Sequence, residues 1–240
     1  MARTLAFAAF AVAALAAVAS ARSLAEADAP APAPAPFVPP AFCFGLDCPE
    51  FELVANTTYY EVRKYKPSTW VSTKASSPSM AMAMGMSFGR LLPYFGGLNV
   101  NGTKIPKGNP MIISASKQVP MYTINEYTIG IFLPSNVTTP LPAPILPGVE
   151  VQEVPAFTAY VATTPKKVID EFSLTVLLSQ FKMNLTADGY TAPDAYTVAS
   201  YKAPKAPKGF AGFGKAKTAD HNEVWLVDAD ITGEPLVAGF

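Results

Sequence analysis

An internal repeat is the feature that most constrains the fold of this chain. Residues 60–73 resemble residues 149–163 when one inserted residue is allowed. Each copy reads as two β-rich runs joined at a turn that contains a proline. A helical pattern and two further β-rich runs follow each copy, and residues 134–148 connect the halves. The order β-β-α-β-β therefore occurs twice.

Both helices are predicted from apolar residues at steps of three and four. The first ends at Gly96-Gly97, a typical C-terminal cap, and the second begins at Pro165 and stops near Gly189. A four-stranded unit with one helix leaves an apolar sheet face uncovered, so one core should serve both halves. We therefore expect an α+β fold, a distorted antiparallel β-barrel from two β-β-α-β-β pseudo-repeats flanked by two helices. The predicted apolar positions are Met80, Met84, Phe88, Leu91, Leu92 and Phe95 in the first helix, and Ile169, Phe172, Leu174, Leu177, Leu178, Phe181 and Leu185 in the second.

The N-terminal region has the pattern of a targeting segment. Residues 1–21 combine Arg3, an apolar run and a small-residue cleavage motif, as signal peptides do. Residues 22–42 form an Ala/Pro-rich linker, residues 43–232 the domain and residues 233–240 a tail. The expected location is secreted or in the endomembrane lumen. A plastid or thylakoid-lumen address is the alternative, because algal and plant targeting segments are also Ala-rich and acidic-poor.

Two further features favour the secretory pathway. The chain has two cysteines, Cys43 and Cys48, which predict a disulfide in an oxidising compartment. Acceptor sequences for N-glycosylation occur at Asn56, Asn101, Asn136 and Asn184. The 18 basic and 18 acidic residues balance, which argues against a nucleic-acid-binding surface. The apolar run is too short for a membrane span. The sequence does not predict an oligomeric state.

Three segments contain residues that could act in catalysis or ligand binding. Ser87 lies in a Gly-x-Ser-x-Gly pattern, but helical periodicity around it argues against a serine hydrolase elbow, so an enzyme is not expected. The loop of residues 202–220 mixes lysine with phenylalanine and could close over a flat apolar ligand, or be a solvated surface loop. His221 is the one histidine; it is either structural or a single axial ligand to haem iron.

Several segments together resemble the SOUL haem-binding protein family, in particular its secreted plant and algal branch. They cover most of residues 48–230 in the family's order. The matching residues are Cys48-Pro-Glu-Phe-Glu-Leu-Val54, Tyr60-Glu-Val-Arg-Lys-Tyr65, Trp70-Val-Ser-Thr73, the stretch 88–99 around Leu91-Leu-Pro-Tyr-Phe-Gly-Gly97, Tyr196-Thr-Val-Ala-Ser-Tyr201 and Asn222-Glu-Val-Trp225.

The resemblance implies the same barrel and a shallow apolar groove that binds haem or another tetrapyrrole non-covalently. The groove would lie between the first helix and the loop before the last strand. The residues implied are Met84, Phe88, Arg90, Leu91 and Leu92 on the helix side, and Tyr201, Lys202 and neighbouring lysines on the loop side. No axial ligand is uniform in the family, so His221 is a candidate from its chemistry alone.

The sequence departs from the family where residues 104–111 replace the usual Lys-Ile-x-Met-Thr-x-Pro-Val. The interpretation is a carrier, buffer or scavenger of tetrapyrroles. The alternatives are an extracellular structural or interaction protein that keeps the fold without a ligand and, more remotely, a small serine hydrolase that uses Ser87.

Overall fold

The computed structural model describes residues 37–120, 122–137, 140–164, 171–202 and 220–227. The expected signal peptide and tail, most of the expected linker, and residues 203–219 of the lysine-rich loop lie outside the described residues. After a short 3-10 turn at Ala41–Cys43, the elements are β1 (Phe51–Asn56), β2 (Glu61–Tyr65), β3 (Ser68–Ser77), α1 (Met80–Phe95), β4 (Met111–Ala115), β5 (Asn125–Phe132), β6 (Glu150–Val154), β7 (Phe157–Thr164), α2 (Glu171–Ala187), β8 (Tyr196–Lys202) and β9 (Asp220–Val227).

The strands form one antiparallel sheet in the order β1-β2-β7-β9-β8-β4-β5-β3-β6. The order without β1 has a two-fold relation. If each strand of the first half (β2 to β5) is exchanged with its counterpart in the second half (β6 to β9), the same order results, read from the other end. Strands of the two halves pair directly, as β2 with β7, β3 with β6, and β4 with β8. The predicted duplication and the curled α+β sheet with two helices are confirmed. Strand β1 is an addition that the repeat did not predict.

The sheet separates two buried clusters because successive side chains of a strand point to opposite faces. On one face, here called the helix face, residues of α1 and α2 such as Leu91 and Leu178 pack with Val71 and Ile129. The opposite face, here called the disulfide face, carries an aromatic cluster with Cys43 and Cys48. The large side chains of this second cluster include Tyr65, Trp70, Phe132, Phe157, Tyr201 and Trp225.

Helix α1 is anchored at its start by two side chains. The Ser79 hydroxyl accepts a hydrogen bond from the Met82 backbone N–H at 3.2 Å. The Glu171 carboxylate, at the start of α2 as described, accepts one from the Met80 N–H at 2.5 Å. A carboxylate at a helix N-terminus accepts a hydrogen bond from a backbone N–H that has no partner within the helix, and its negative charge interacts favourably with the helix dipole. Glu171 therefore ties the two helices together.

The buried side of α1 differs from the one predicted. Met80, Leu91 and Phe95 are buried as expected, but the remaining core positions are Ala83, Ser87 and Tyr94. Small residues at 83 and 87 let the helix approach the sheet closely, and this rotates Met84 and Phe88 to half-buried positions at its side.

Helix α2 shows a similar difference. Leu174, Leu178, Phe181 and Leu185 are buried as predicted, whereas Phe172 is 65% exposed. Phe172 lies in the first described turn of α2. Neither this helix nor any other in the described part of the chain is long and apolar enough to cross a membrane.

Candidate functional site

The side of α1 that faces away from the sheet exposes apolar side chains around two central positions that have no side chain. Met82 is 57% exposed, Met86 44% and Leu92 45%. Gly85 and Gly89 lie between them, and a Cβ atom added at either glycine would meet nothing within 4 Å. These five residues, called here the α1 surface, form a strip in which exposed methionine and leucine side chains border the two glycines. A flat apolar molecule could rest on such a strip.

Arg90 borders the α1 surface and carries a positive charge. Its Nη1 donates to the Lys74 carbonyl oxygen at 3.0 Å and lies 3.5 Å from the Thr73 hydroxyl. No ion pair within the described ranges involves Arg90. The guanidinium is thus held by neutral oxygens and keeps donors for an anionic ligand group.

The helix-side residues predicted from the sequence occupy three different environments. Met84 and Phe88 are half-buried at the side of α1, and Leu92 is exposed. Leu91 is completely buried in the core between α1 and the sheet. Leu91 therefore supports the helix from beneath and offers no surface to a ligand.

The loop-side residues lie elsewhere. Tyr201 and His221 belong to the disulfide face, so the sheet separates them from α1. Lys202 is exposed at the end of β8, next to residues 203–219, which lie outside the described residues. The structure therefore does not bring the eight predicted residues together into one groove.

Tyr201 and His221 are part of a buried charge cluster that the sequence analysis missed. Its centre is the fully buried Glu223 carboxylate, which accepts hydrogen bonds from Arg63 Nη1 at 3.0 Å, Tyr201 Oη at 3.1 Å and Trp225 Nε1 at 2.8 Å. His221 Nε2 lies 2.8 Å from Glu223 Oε1, and it must carry the hydrogen because a carboxylate only accepts. Arg63 is 2% exposed.

Proton affinities in this cluster reflect burial and the paired charges. Burial alone would raise the pKa of Glu223, but the hydrogen bond from His221 and the Arg63 charge outweigh burial and lower it. Burial alone would lower the pKa of Arg63, yet the Glu223 charge outweighs it and raises that pKa. Burial raises the pKa of Tyr201. The pair is therefore held ionised.

The N-terminal segment covers this cluster. The Phe42 ring stacks on His221, with centroids 4.4 Å apart and planes 13° apart, and the Arg63 guanidinium lies over Phe42 and Phe51. The predicted Cys43–Cys48 disulfide is present. Residues at the end of the expected linker thus pack on the sheet. With one His221 nitrogen bonded to Glu223 and one ring face under Phe42, the imidazole is engaged within the protein.

The segment that departs from the family pattern fixes the disulfide loop. Asn109 Nδ2 donates to the carbonyl oxygens of Cys43 at 3.2 Å and Lys202 at 3.1 Å. A Cβ atom on Gly108 would lie 2.7 Å from the Asp47 carbonyl oxygen and 2.5 Å from the Phe132 ring. Only glycine permits this close approach, which accounts for Gly108 physically.

Ser87 is not positioned to act as a nucleophile. It lies in the middle of α1, is fully buried, and its hydroxyl is the one buried side-chain oxygen or nitrogen within the described residues that lacks a hydrogen-bond partner. A helix interior is not the strand–turn–helix elbow that the Gly-x-Ser-x-Gly motif needs. The structure gives no support to a hydrolase site at Ser87.

Comparison with known families identifies the chain. A family model described as SOUL heme-binding protein matches residues 46–227. The chain belongs to the SOUL family. Among curated proteins, heme-binding protein 2 of Homo sapiens is similar to this SOUL protein, with 25% identity over 174 residues that cover 70% of this chain and 77% of the human protein.

Similar solved structures are more distant from this SOUL protein. They include a hydrolase from Listeria innocua, with a TM-score of 0.46 and 8% identity, covering 73% of this chain and 94% of that one. The C-terminal domain of EcmrR has a TM-score of 0.44 and 12% identity, covering 72% of this chain and 99% of that domain. Structural similarity this weak does not indicate a function.

The α1 surface fits the group that the family name implies. A porphyrin is a flat apolar ring with carboxylates on one edge. The bare positions at Gly85 and Gly89 leave room for such a ring, and Arg90 has donors for a carboxylate. The buried Glu223 cluster fits it less well, because its polar groups are already paired and Phe42 covers it.

Proposed function

We propose that this SOUL protein binds haem or a related tetrapyrrole non-covalently on the α1 surface and acts as a carrier, buffer or scavenger. The observation that carries the proposal is the exposed strip around Gly85 and Gly89, bordered by an arginine that has no acidic partner among the described residues. Family membership supplies the ligand class. Catalysis is not part of the proposal.

The driving force would be burial of apolar area on both partners. When a porphyrin face moves from water onto the α1 surface, the binding free energy becomes more favourable by about 25 cal/mol for each Å² of apolar area removed from water. Met84 and Phe88 lie beside the strip and would extend it, while Leu92 closes one flank. Met side chains adapt their rotamers to a ligand at small cost.

Titration of the purified protein with hemin and with protoporphyrin IX tests this function. We expect saturable binding of both, because the apolar contact does not need iron. Arg90→Met should weaken protoporphyrin binding about two- to fivefold, which corresponds to the ~0.5–1 kcal/mol of an exposed ion pair. Absorbance and fluorescence titrations give the affinities.

Protoporphyrin dimethyl ester is the matched control ligand, since it lacks the carboxylates. Arg90→Met should leave its binding unchanged. Failure of the wild-type protein to saturate with any of the three ligands would contradict the proposed function and favour a ligand-free structural or interaction role.

We propose further that the protein acts in a secretory or extracellular compartment. The Cys43–Cys48 disulfide supports this, since such bonds persist in oxidising compartments. Three of the four glycosylation acceptors, Asn56, Asn101 and Asn136, are exposed. The apolar run and cleavage motif in residues 1–21 agree with this route.

Glycan mapping of the native protein is expected to find modification at Asn56, Asn101 and Asn136 but not at Asn184. Asn184 is half-buried within α2, and the Thr186 hydroxyl of its acceptor sequence donates to the Lys182 carbonyl at 2.9 Å. Peptide mass spectrometry before and after enzymatic deglycosylation provides the measurement. Absence of glycans from all four sites would favour the plastid alternative.

A further inference from the structure

Two exposed methionines on α1 raise the question of what binds haem iron. Met82 and Met86 are separated by one helical turn and expose 57% and 44% of their surface. Neither belongs to the buried cluster on the helix face. A thioether sulfur is a recognised axial ligand of haem iron, and it is neutral, so it needs no deprotonation.

The structure disfavours the histidine that the sequence suggested. His221 Nε2 is bonded to Glu223, its ring is stacked on Phe42, and the sheet lies between it and the α1 surface. Coordination through Nε2 would remove a hydrogen-bond donor from the fully buried Glu223 carboxylate, which is unfavourable. The exposed thioether groups of Met82 and Met86 would lose no polar contact by turning toward a ligand.

Resting on the proposed function, we propose that the Met86 thioether is an axial ligand of the iron when haem lies on the α1 surface. Gly89 follows Met86 by three residues and lies next to it on the helix surface, so a ring centred over Met86 would extend over Gly89. Arg90 lies one turn further along from Met86, where it could meet a propionate at the edge of the ring. From Met82 the same arginine is eight residues away, about 12 Å along the helix.

The sulfur donates a lone pair to the iron in place of a water molecule, and no electron is transferred. Iron coordination then adds affinity that metal-free protoporphyrin cannot have. A matched set of variants separates this contribution from apolar contact. Met86→Leu removes the proposed ligand, Met82→Leu removes the neighbouring thioether, and Met183→Leu changes an exposed methionine on α2.

The experiment records ferric haem spectra and binding curves for the wild-type protein and the three variants. We expect the near-infrared sulfur-to-iron charge-transfer band in the wild type, Met82→Leu and Met183→Leu, and its loss in Met86→Leu. Hemin affinity should fall about tenfold more than protoporphyrin affinity in Met86→Leu, equivalent to ~1.4 kcal/mol.

A wild-type complex that binds hemin and protoporphyrin equally and lacks the band overturns the Met86 assignment but leaves the proposed function intact. Persistence of the band in Met86→Leu, or its loss in Met82→Leu alone, also overturns the assignment. If neither ligand saturates the wild type, the proposed function itself fails.

Discussion

Replacement of Arg63 by methionine is expected to destabilise the fold by about 3–5 kcal/mol, the cost of leaving a buried charge without its partner. Arg63 is 2% exposed and Glu223 is fully buried, and their side chains are 3.0 Å apart. Methionine retains much of the apolar stem of Arg63 but cannot neutralise the carboxylate. Chemical denaturation followed by tryptophan fluorescence measures the change, since Trp225 donates to the same carboxylate.

Arg90→Met is the matched control, because it makes the same substitution at an exposed arginine. Its effect on the free energy of unfolding should be within about 0.5 kcal/mol, as at most surface positions. Equal stability of Arg63→Met and Arg90→Met would show that the buried pair is not required for folding.

The same cluster makes stability depend on acid. Because the pKa of Glu223 is lower in the folded protein than its ordinary value of 4.5, its contribution is present above that value and is lost as pH falls through the folded pKa. The difference in unfolding free energy between the wild type and Arg63→Met should therefore shrink in acid.

Substitution of Gly89 by glutamate is expected to weaken tetrapyrrole binding more than tenfold without harming the fold. Glycine in a helix interior is about 1 kcal/mol less favourable than a good helix former, so Glu should preserve or raise the thermal midpoint. A Cβ at this position meets no protein atom within 4 Å. The added carboxylate would lie under the apolar ring and repel the propionates, so protoporphyrin affinity should fall more than tenfold, ~1.4 kcal/mol.

Ser179→Glu, at an exposed position of α2, controls for the added charge. Its protoporphyrin affinity should equal that of the wild type. Unchanged binding in Gly89→Glu, with intact stability, would place the ligand away from the α1 surface.

The architecture could be predicted because the repeat is written into local patterns. The copies around residues 60–73 and 149–163 became β2–β3 and β6–β7, and the strand order retains their two-fold relation. Helix α1 ends where Gly96-Gly97 predicted, with Gly97 at a φ of 107°. The extra strand β1 escaped because it is an edge strand with an irregular exposure pattern, rather than a clean alternation.

The site was harder to predict, for two physical reasons. Apolar periodicity shows which residues a helix could bury, but close packing at Ala83 and Ser87 decided which side of α1 faced the sheet. That rotation left Met84 and Phe88 half-buried. Met82 and Met86 lie off the predicted face and are exposed. Arg63 and Glu223 look like surface charges in sequence, since only the pairing of β2, β7 and β9 reveals that they meet.

The most direct test of the central claim is the nuclear magnetic resonance spectrum of methyl-¹³C-methionine protein during titration with paramagnetic ferric hemin. We predict that the methyl signals of Met82 and Met86, assigned from their leucine variants, broaden selectively, while that of Met183 on α2 stays sharp. Saturation with hemin while the Met82 and Met86 signals remain sharp would contradict a binding site on the α1 surface.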